Sequence, residues 1–210
     1  DLFYVVLDRT PFYFESGGQV SDIGKIYSAD LDLKVLDVQK INGTICHIVK
    51  INKGALNLDF TDVTAEIDLD HRKRAMSNHT ATHMLHKALR EVLGSHVQQS
   101  GSLVTPERLR FDYTHHSQIK ANDLSLIEKI INKNIRNNNK LQTSITSYDS
   151  AIESGAIGLF GEKYDDDVRV VEIPSFSKEL CGGTHVNRTG DIGVFKIISE
   201  ASLSSGVRRI

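Results

Sequence analysis

The 210-residue sequence has no tryptophan, only two cysteines and three prolines, and no long apolar run. Two cysteines, Cys46 and Cys181, are too few for a disulfide framework, and they are typical of a reducing cytosol. No segment approaches the roughly 18 consecutive apolar residues of a membrane helix, and the N-terminus lacks the pattern of a signal peptide. We therefore expect a cytoplasmic protein without a membrane span.

Charge of one sign is also lacking, because 25 basic and 27 acidic residues leave a net charge of -2. The net charge of the chain gives no sign of nucleic-acid binding, so an RNA partner would have to bind to a local basic patch. The candidates for such phosphate contacts are "HRKR" at residues 71–74 and the pair Arg208 and Arg209. With 40% hydrophobic residues, the chain is long enough to bury a core.

Residues 1–69 alternate short runs rich in valine, isoleucine, leucine and tyrosine with turn signals, which is typical of β-strands. Asn42 and Gly43 separate two such runs, and both residues tolerate the positive φ of a type I′ hairpin turn. Five or six strands in so short a segment predict a small β-barrel-like lobe.

Residues 70–210 predict an α+β unit, in which a long helix packs against a mainly antiparallel sheet. Helical spacing of apolar residues predicts a first helix from Asp70, as its cap, to Leu93, with Gly94 as its stop. A second helix is expected within residues 122–140. Strands are predicted for "LRFDY", "LQTSITSY", "VRVVEI" and "IGVFKIISE", with a short helix near residues 149–154.

Three histidines of "NHTATHMLH" fall on one face of the first helix, because each residue turns the helix by about 100°. His79, His83 and His86 could be core residues, metal ligands or a catalytic base. The segment "KELCGGTHV" offers partners, since Cys181 and His185 flank two glycines that allow a tight turn. Thiolate and imidazole groups are ligands that Zn²⁺ prefers, so the two pairs together predict a zinc site.

A zinc protease is disfavoured by one residue. The metal-binding helix of such a protease has the motif His-Glu-x-x-His, with a glutamate directly after the first ligand. This sequence has Thr80 at that position.

Several motifs, in this order, resemble the editing region of alanyl-tRNA synthetase over nearly the whole chain. They are "LDRTPFYFESGGQVSDIG", "RKRAMSNHTATHMLH", "HVQQSGSLV", "GLFGEKY" with "VRVVEI", "ELCGGTHV" and "GVRRI". Free-standing alanyl-tRNA editing proteins share the histidine and Cys-Gly-Gly-Thr-His pairs, and the threonyl-tRNA synthetase editing domain is a more distant likeness. The resemblance implies a β-barrel-like lobe at residues 1–69 and a zinc-binding editing core at residues 70–210.

The resemblance also implies a reaction: hydrolysis of the ester that joins serine or glycine to the acceptor end of tRNA(Ala). It assigns the Zn²⁺ ligands to His79, His83, Cys181 and His185, and it places Gln99 in the editing pocket. His86 is then a polar neighbour. The implied partners are the mischarged tRNA and the remainder of the synthetase chain, with its ligase and C-terminal domains. A free-standing trans-editing deacylase and a non-catalytic tRNA-binding module with structural zinc remain open.

Four protein ligands saturate a tetrahedral zinc, whereas hydrolytic zinc keeps a position for water or substrate. Three arrangements are therefore open: one ligand is loose, the zinc expands its coordination, or the zinc holds the substrate or the shape of the pocket while a water held by Gln99, Thr80 or backbone groups attacks the carbonyl. We favour zinc as an organiser and electrophile. The N–H groups of Gly182 and Gly183 are candidates for binding the oxyanion. Alanine lies between glycine and serine in size, so size alone cannot reject it. A hydrogen bond to the serine hydroxyl must contribute, but this does not explain how glycine is accepted.

Overall fold

The computed structural model describes residues 1–56, 62–158 and 165–210. It has the expected α+β class, with three antiparallel sheets and few helices among the described residues. Of the motif "GLFGEKY", all residues after Gly158 lie outside the described ranges.

The N-terminal segment forms a five-stranded antiparallel sheet, in the order β1-β4-β3-β2-β5. The predicted hairpin is confirmed, because Asn42 and Gly43 have φ values of 49° and 85° between the third and fourth strands. One face of the sheet covers a buried apolar cluster that includes Phe12, Leu33 and Val49. The strands are β1 (Phe3–Val5), β2 (Gly24–Tyr27), β3 (Asp32–Ile41), β4 (Thr44–Lys53) and β5 (Thr64–Ile67).

This barrel-like lobe is an open sheet within the described residues, where β1 and β5 are its edges and do not pair with each other. The edge strands have three and four residues. A barrel closes only when its first and last strands form hydrogen bonds with each other along a continuous ladder. Two edge strands this short have few backbone groups to form such a ladder.

The first helix, α1, spans Leu69–Leu93. Its N-cap is Asp68, whose carboxylate accepts a hydrogen bond from the backbone N–H of His71 at 3.0 Å. The prediction of Asp70 as the cap was wrong by two residues, and Asp70 lies in the first turn. Gly94 ends the helix as predicted, with a φ of 116° and its N–H bonded to the Arg90 carbonyl. No described helix is long and apolar enough to cross a membrane.

The remaining elements form two antiparallel sheets, β11-β12-β7-β6 and β10-β9-β8, beside α1 and a second helix. The two helices pack together and bury Leu85, Leu89, Ile127 and Ile131. The elements are β6 (Gln99–Val104), β7 (Leu109–Thr114), α2 (Ala121–Arg136), β8 (Gln142–Ser147), α3 (Tyr148–Glu153), β9 (Asp167–Ile173), β10 (Ser177–Leu180), β11 (Ala201–Ser204) and β12 (Val207–Arg209).

The predicted strand "IGVFKIISE" was wrong, because residues 193–200 have no regular secondary structure. Side chains of α2 satisfy the backbone of this segment instead: the N–H of Phe195 donates to Asn132 Oδ1 at 2.9 Å, and that of Ile197 to Glu128 Oε1 at 2.7 Å. Phe195 is buried, while Val194 and Ile198 are exposed. This segment therefore lies along α2 instead of pairing as a strand.

Two buried apolar clusters share no residue, one built from the N-terminal sheet and one around α1 and α2. They support a division of the chain near residue 69, which we retain as a proposal.

Candidate metal centre

Four side chains lie close together where α1 meets the loop after β10. His79 and His83 come from α1, and Cys181 and His185 from the loop after β10. One ligand atom of each lies within 4.8 Å of the others. The Cys181 sulfur is 3.4 Å from Nε2 of His79 and 3.3 Å from Nε2 of His185. The cluster predicted from two separate motifs therefore forms one site.

Each histidine of the cluster has its Nδ1 atom occupied by a neighbour, which leaves Nε2 for the centre of the site. Such outer contacts fix the ring orientation and the position of the proton in metal sites. The three contacts are His79 Nδ1 to Gln19 Oε1 at 2.6 Å, His83 Nδ1 to Glu179 Oε2 at 2.6 Å, and His185 Nδ1 to Thr80 Oγ1 at 3.2 Å.

Gln19, which follows two glycines in the first quoted motif, contacts the cluster, and the sequence analysis assigned it no role. The turn before it brings Gly18 so close to Ser102 that a Cβ atom on Gly18 would lie 2.2 Å from Ser102 Oγ. Gln19 is fully buried, and its Oε1 also accepts the backbone N–H of Thr184 at 3.1 Å. One amide thus connects the N-terminal loop, α1 and the cysteine loop.

Glu179 was missed by the sequence analysis. Its two carboxylate oxygens contact different histidines, because His86 Nδ1 lies 3.1 Å from Oε1 while His83 uses Oε2. Burial acts to raise the pKa of Glu179, but the charges and hydrogen bonds of His83 and His86 outweigh burial and lower it to about 2. The carboxylate is therefore ionised and accepts hydrogen bonds from both rings.

The surroundings of Cys181 favour its thiolate form. Burial opposes its ionisation, but the three histidines of the cluster outweigh burial and hold the pKa of the thiol well below its usual value. The backbone N–H of Gly183 donates to the sulfur at 3.3 Å. A Cβ atom on Gly183 would lie 2.0 Å from Cε1 of His79, so only glycine fits there.

A cavity of about 550 Å³ opens beside the cluster, and His79, His83 and Cys181 form part of its wall. Gln99 and Ser102 of β6 line it, and the amide of Gln99 donates to Ser102 Oγ at 3.4 Å. The further lining residues include Tyr13, Phe14, Thr82, His86 and Gly182.

The candidate residues other than the ligands differ in their access to this cavity. Gln99 and Gly182 line it, and Gly182 is exposed. Thr80 is fully buried, and its hydroxyl contacts His185 and the N–H of Val186. Gly183 lines the cavity, but its N–H is directed to the Cys181 sulfur.

Three arginines predicted to contact tRNA phosphates have carboxylate partners within the chain. Their guanidinium groups form ion pairs within the chain, so a phosphate would have to compete with these carboxylates. The pairs are Arg72 with Asp22, Arg208 with Glu200 and Arg209 with Asp112.

The donor set fits a metal ion. One ligand atom from each of three imidazoles and one thiol lies within 4.8 Å of the others, and the outer contact of each ring leaves its Nε2 atom available. The pKa of His185 lies at about 3, chiefly because burial lowers it, so this ring is neutral and able to coordinate.

Comparison with known proteins matches two family models to the chain. Residues 168–210 match the "Threonyl and Alanyl tRNA synthetase second additional domain", and residues 2–71 match "tRNA synthetases class II (A)".

Relatives among curated proteins match nearly the whole chain. It is 51% identical over 207 residues to the alanine–tRNA ligase of Xanthomonas campestris pv. campestris strain 8004, and 50% identical over 206 residues to that of Legionella pneumophila strain Corby. Each match covers 98% of this chain but only 23% and 24% of the respective relative. The resemblance to alanyl-tRNA synthetase is thereby confirmed, and the chain spans about a quarter of the length of these relatives.

Proposed function

We propose that this chain is the editing region of an alanyl-tRNA synthetase and that it hydrolyses the ester bond of tRNA(Ala) mischarged with serine or glycine. The observation that carries the proposal is the metal-ligand cluster in the wall of a cavity that also contains Gln99 and Ser102. A structural metal site has no need of an adjoining polar cavity. The identity to alanine–tRNA ligases supports tRNA as the macromolecule that delivers the ester.

Zn²⁺ is the metal that this donor set suits best, because three imidazoles and a thiolate are typical of tetrahedral zinc. It would be held by His79, His83, Cys181 and His185. When bound, it supplies an electrophile beside the ester carbonyl and an anchor that stabilises the cysteine loop.

The chain's own groups perform the remaining tasks. Gln99 lies on the cavity wall and can orient a water molecule or the ester oxygen through its amide. The N–H of Gly182, on the exposed side of the loop, is the candidate donor to the oxyanion. Thr80 and Gly183 act indirectly as positioning residues, because one contacts His185 and the other the Cys181 sulfur.

The proposal includes the partners of the intact enzyme. The acceptor end of the mischarged tRNA would enter the cavity, while the ligase and C-terminal domains of the synthetase would hold the rest of the tRNA. Lys73 and Arg74 are exposed and remain candidates for phosphate contacts. The same chemistry would serve a free-standing trans-editing protein.

A second candidate is a non-catalytic tRNA-binding module with structural zinc. One observation favours it: the cluster offers four protein ligands, the number that closes a tetrahedral site. Such a module would bind one zinc ion per chain and would hydrolyse no aminoacyl ester.

The experiment combines metal analysis with deacylation of seryl-tRNA(Ala), without ATP, by the full-length protein that carries this chain. We expect one zinc per chain and rapid deacylation. Cys181→Ala should lose both zinc and activity, while Gln99→His should keep zinc and lose activity. Stoichiometric zinc with no deacylation by the unmodified protein would favour the module. Loss of activity in Cys181→Ala with zinc retained would show that the thiolate does more than hold the metal.

A further inference from the structure

A row of lysines crosses the outer face of the N-terminal sheet. Lys25 of β2 pairs directly with Lys34 of β3, and Lys34 pairs directly with Lys50 of β4. Directly paired residues of antiparallel strands project from the same face of a sheet, and the opposite face covers the buried cluster that includes Leu33 and Val49. All three lysines are exposed. This lysine row therefore places three positive charges on three adjacent strands, whose backbones lie about 4.8 Å apart.

The packing of the sheet does not account for the lysine row. Like charges directly opposite each other on neighbouring strands destabilise a sheet. Among the described residues, none of the three side chains forms an ion pair or a hydrogen bond. Glu66 of β5 lies opposite Lys25, but its carboxylate accepts a hydrogen bond from the hydroxyl of Tyr27 at 3.3 Å. The three ammonium groups are therefore free to bind an anionic partner.

A groove of about 450 Å³ adjoins the lysine row at Lys25. Lys53 adds a further cation to the wall of this groove, and Tyr27, which is 36% exposed, adds an aromatic ring. The carboxylates of Asp32 and Glu66 also line it. Aromatic rings beside basic groups are typical of RNA-binding surfaces, because the rings stack on bases while the lysines bind phosphates. The groove thus favours RNA over an acidic protein or an anionic membrane as the partner.

We propose that the lysine row binds the phosphate backbone of the tRNA, an inference that rests on the proposed function for the identity of the RNA. The row differs from Arg72, Arg208 and Arg209, which have carboxylate partners within the chain. It supplies the local basic surface that a chain with a net charge of -2 needs for such a partner. Contacts to phosphate hold and orient a nucleic acid without reading its sequence. The outer face of the sheet therefore positions the tRNA, and the cavity receives its acceptor end.

The test measures the affinity of the full-length protein for uncharged tRNA(Ala) between about 50 and 200 mM salt. The triple variant Lys25→Gln, Lys34→Gln and Lys50→Gln removes the charges of the row. Each lost phosphate contact lowers the slope of log K against log salt by about one. We expect the triple variant to bind more weakly and to lose about two to three units of this slope. Arginine at the same three positions should preserve both values, because it keeps the charge and also binds phosphate.

The matched control removes three lysines at and within α2, through Lys120→Gln, Lys129→Gln and Lys133→Gln. These side chains are exposed and form no ion pair among the described residues, so the change in net charge is the same. The affinity for tRNA and its salt dependence should stay as in the unmodified protein. Thermal unfolding is the second readout: the glutamine variant of the lysine row should keep its Tm or raise it, because repulsion within the row is removed.

An unchanged affinity and slope in the glutamine variant of the row would overturn the inference while leaving the editing function intact. An equal loss in the α2 control would also overturn it, since net charge alone would then decide binding. Weaker binding that comes with a lower Tm would indicate a structural role and count against it. Loss of binding to vesicles that contain phosphatidylserine, with the affinity for tRNA retained, would assign the face to an anionic membrane instead.

The outcomes for the lysine row and for the proposed function are distinguishable. Binding of uncharged tRNA involves no ester, so it reports on the row alone. An unmodified protein that binds tRNA through these lysines and hydrolyses no seryl ester would remove the editing function and leave the inference standing.

Discussion

The Oε1 atom of Gln19 lies 2.6 Å from Nδ1 of His79, although 60 positions separate the two residues in the chain. The same oxygen accepts the N–H of Thr184, which is next to the ligand His185. Gln19 therefore fixes both halves of the ligand cluster from a third segment.

The first prediction concerns this amide. Gln19→Leu should weaken zinc binding by about 10- to 100-fold, the usual effect of losing a group that orients a ligand. Competition with a chromogenic chelator measures the change in Kd. Gln39→Leu is the control, because Gln39 contacts Asp37 on β3, away from the ligands. An unchanged Kd for Gln19→Leu would mean that His79 is oriented by its own helix.

The second prediction is the number of protons released when zinc binds. Burial opposes the charge on His83, but Glu179 and Cys181 outweigh burial and raise its pKa well above the usual value. We therefore expect the metal-free ring to be protonated at pH 7 and, because the pKa of Cys181 is lowered, the thiolate to be already formed. Zinc requires a neutral imidazole, so binding at pH 7 should release about one proton, and affinity should rise with pH.

Calorimetry in buffers of different ionisation enthalpy counts these protons. Release of two or more would show that the thiol is protonated before metal binds. In the metal-free protein, the stabilisation from charged His83 should be fully present below its unfolded pKa of about 6.5 and should disappear as the pH rises through the raised folded pKa.

The third prediction uses the two adjacent glycines of the cysteine loop. Gly183→Ala should lose zinc and lower the Tm, because the new Cβ would collide with the ring of His79 at 2.0 Å. Gly182→Ala should retain zinc, because a Cβ there meets nothing within 4 Å. Metal analysis and thermal unfolding of the matched pair test this difference. Equal zinc content in both variants would show that the loop can shift away from the helix.

The fourth prediction concerns Arg72, which forms an ion pair with Asp22 and donates to the carbonyl of Pro11. Asp22 is 1% exposed. Arg72→Met should therefore cost about 3 kcal/mol in the free energy of unfolding, because it leaves a buried carboxylate without its partner. Adding Asp22→Asn should recover part of the loss.

Urea unfolding measures this cost, and the exposed Arg74→Met should change stability by less than about 0.5 kcal/mol. The salt dependence of tRNA binding should be unaltered in Arg72→Met. A reduced salt dependence would reinstate Arg72 as a phosphate contact.

Sequence patterns predicted the structure correctly where residues close in sequence determine it. Asn42 and Gly43 set a hairpin because their own φ angles do so, and the apolar period from Ala81 to Leu89 sets a helix because one face must be buried. Prediction from the sequence failed for residues 193–200, which were expected to form a strand. There, Asn132 and Glu128 of α2 take the hydrogen bonds that a neighbouring strand would have provided.

Helical periodicity put His79, His83 and His86 on one face, and the two glycines let Cys181 and His185 share a tight loop. The family resemblance then singled out His79, His83, Cys181 and His185 as the candidate metal ligands. Only the tertiary structure decided what surrounds them. Gln19 and Glu179 reach the ligand cluster from remote segments, three arginines form ion pairs with carboxylates, and the buried Nε2 atom of His86 has no hydrogen-bond partner among the described residues. The physical reason is that a ligand pair at helical spacing is specified by neighbours in sequence, whereas hydrogen-bond partners across a core depend on how separate elements pack.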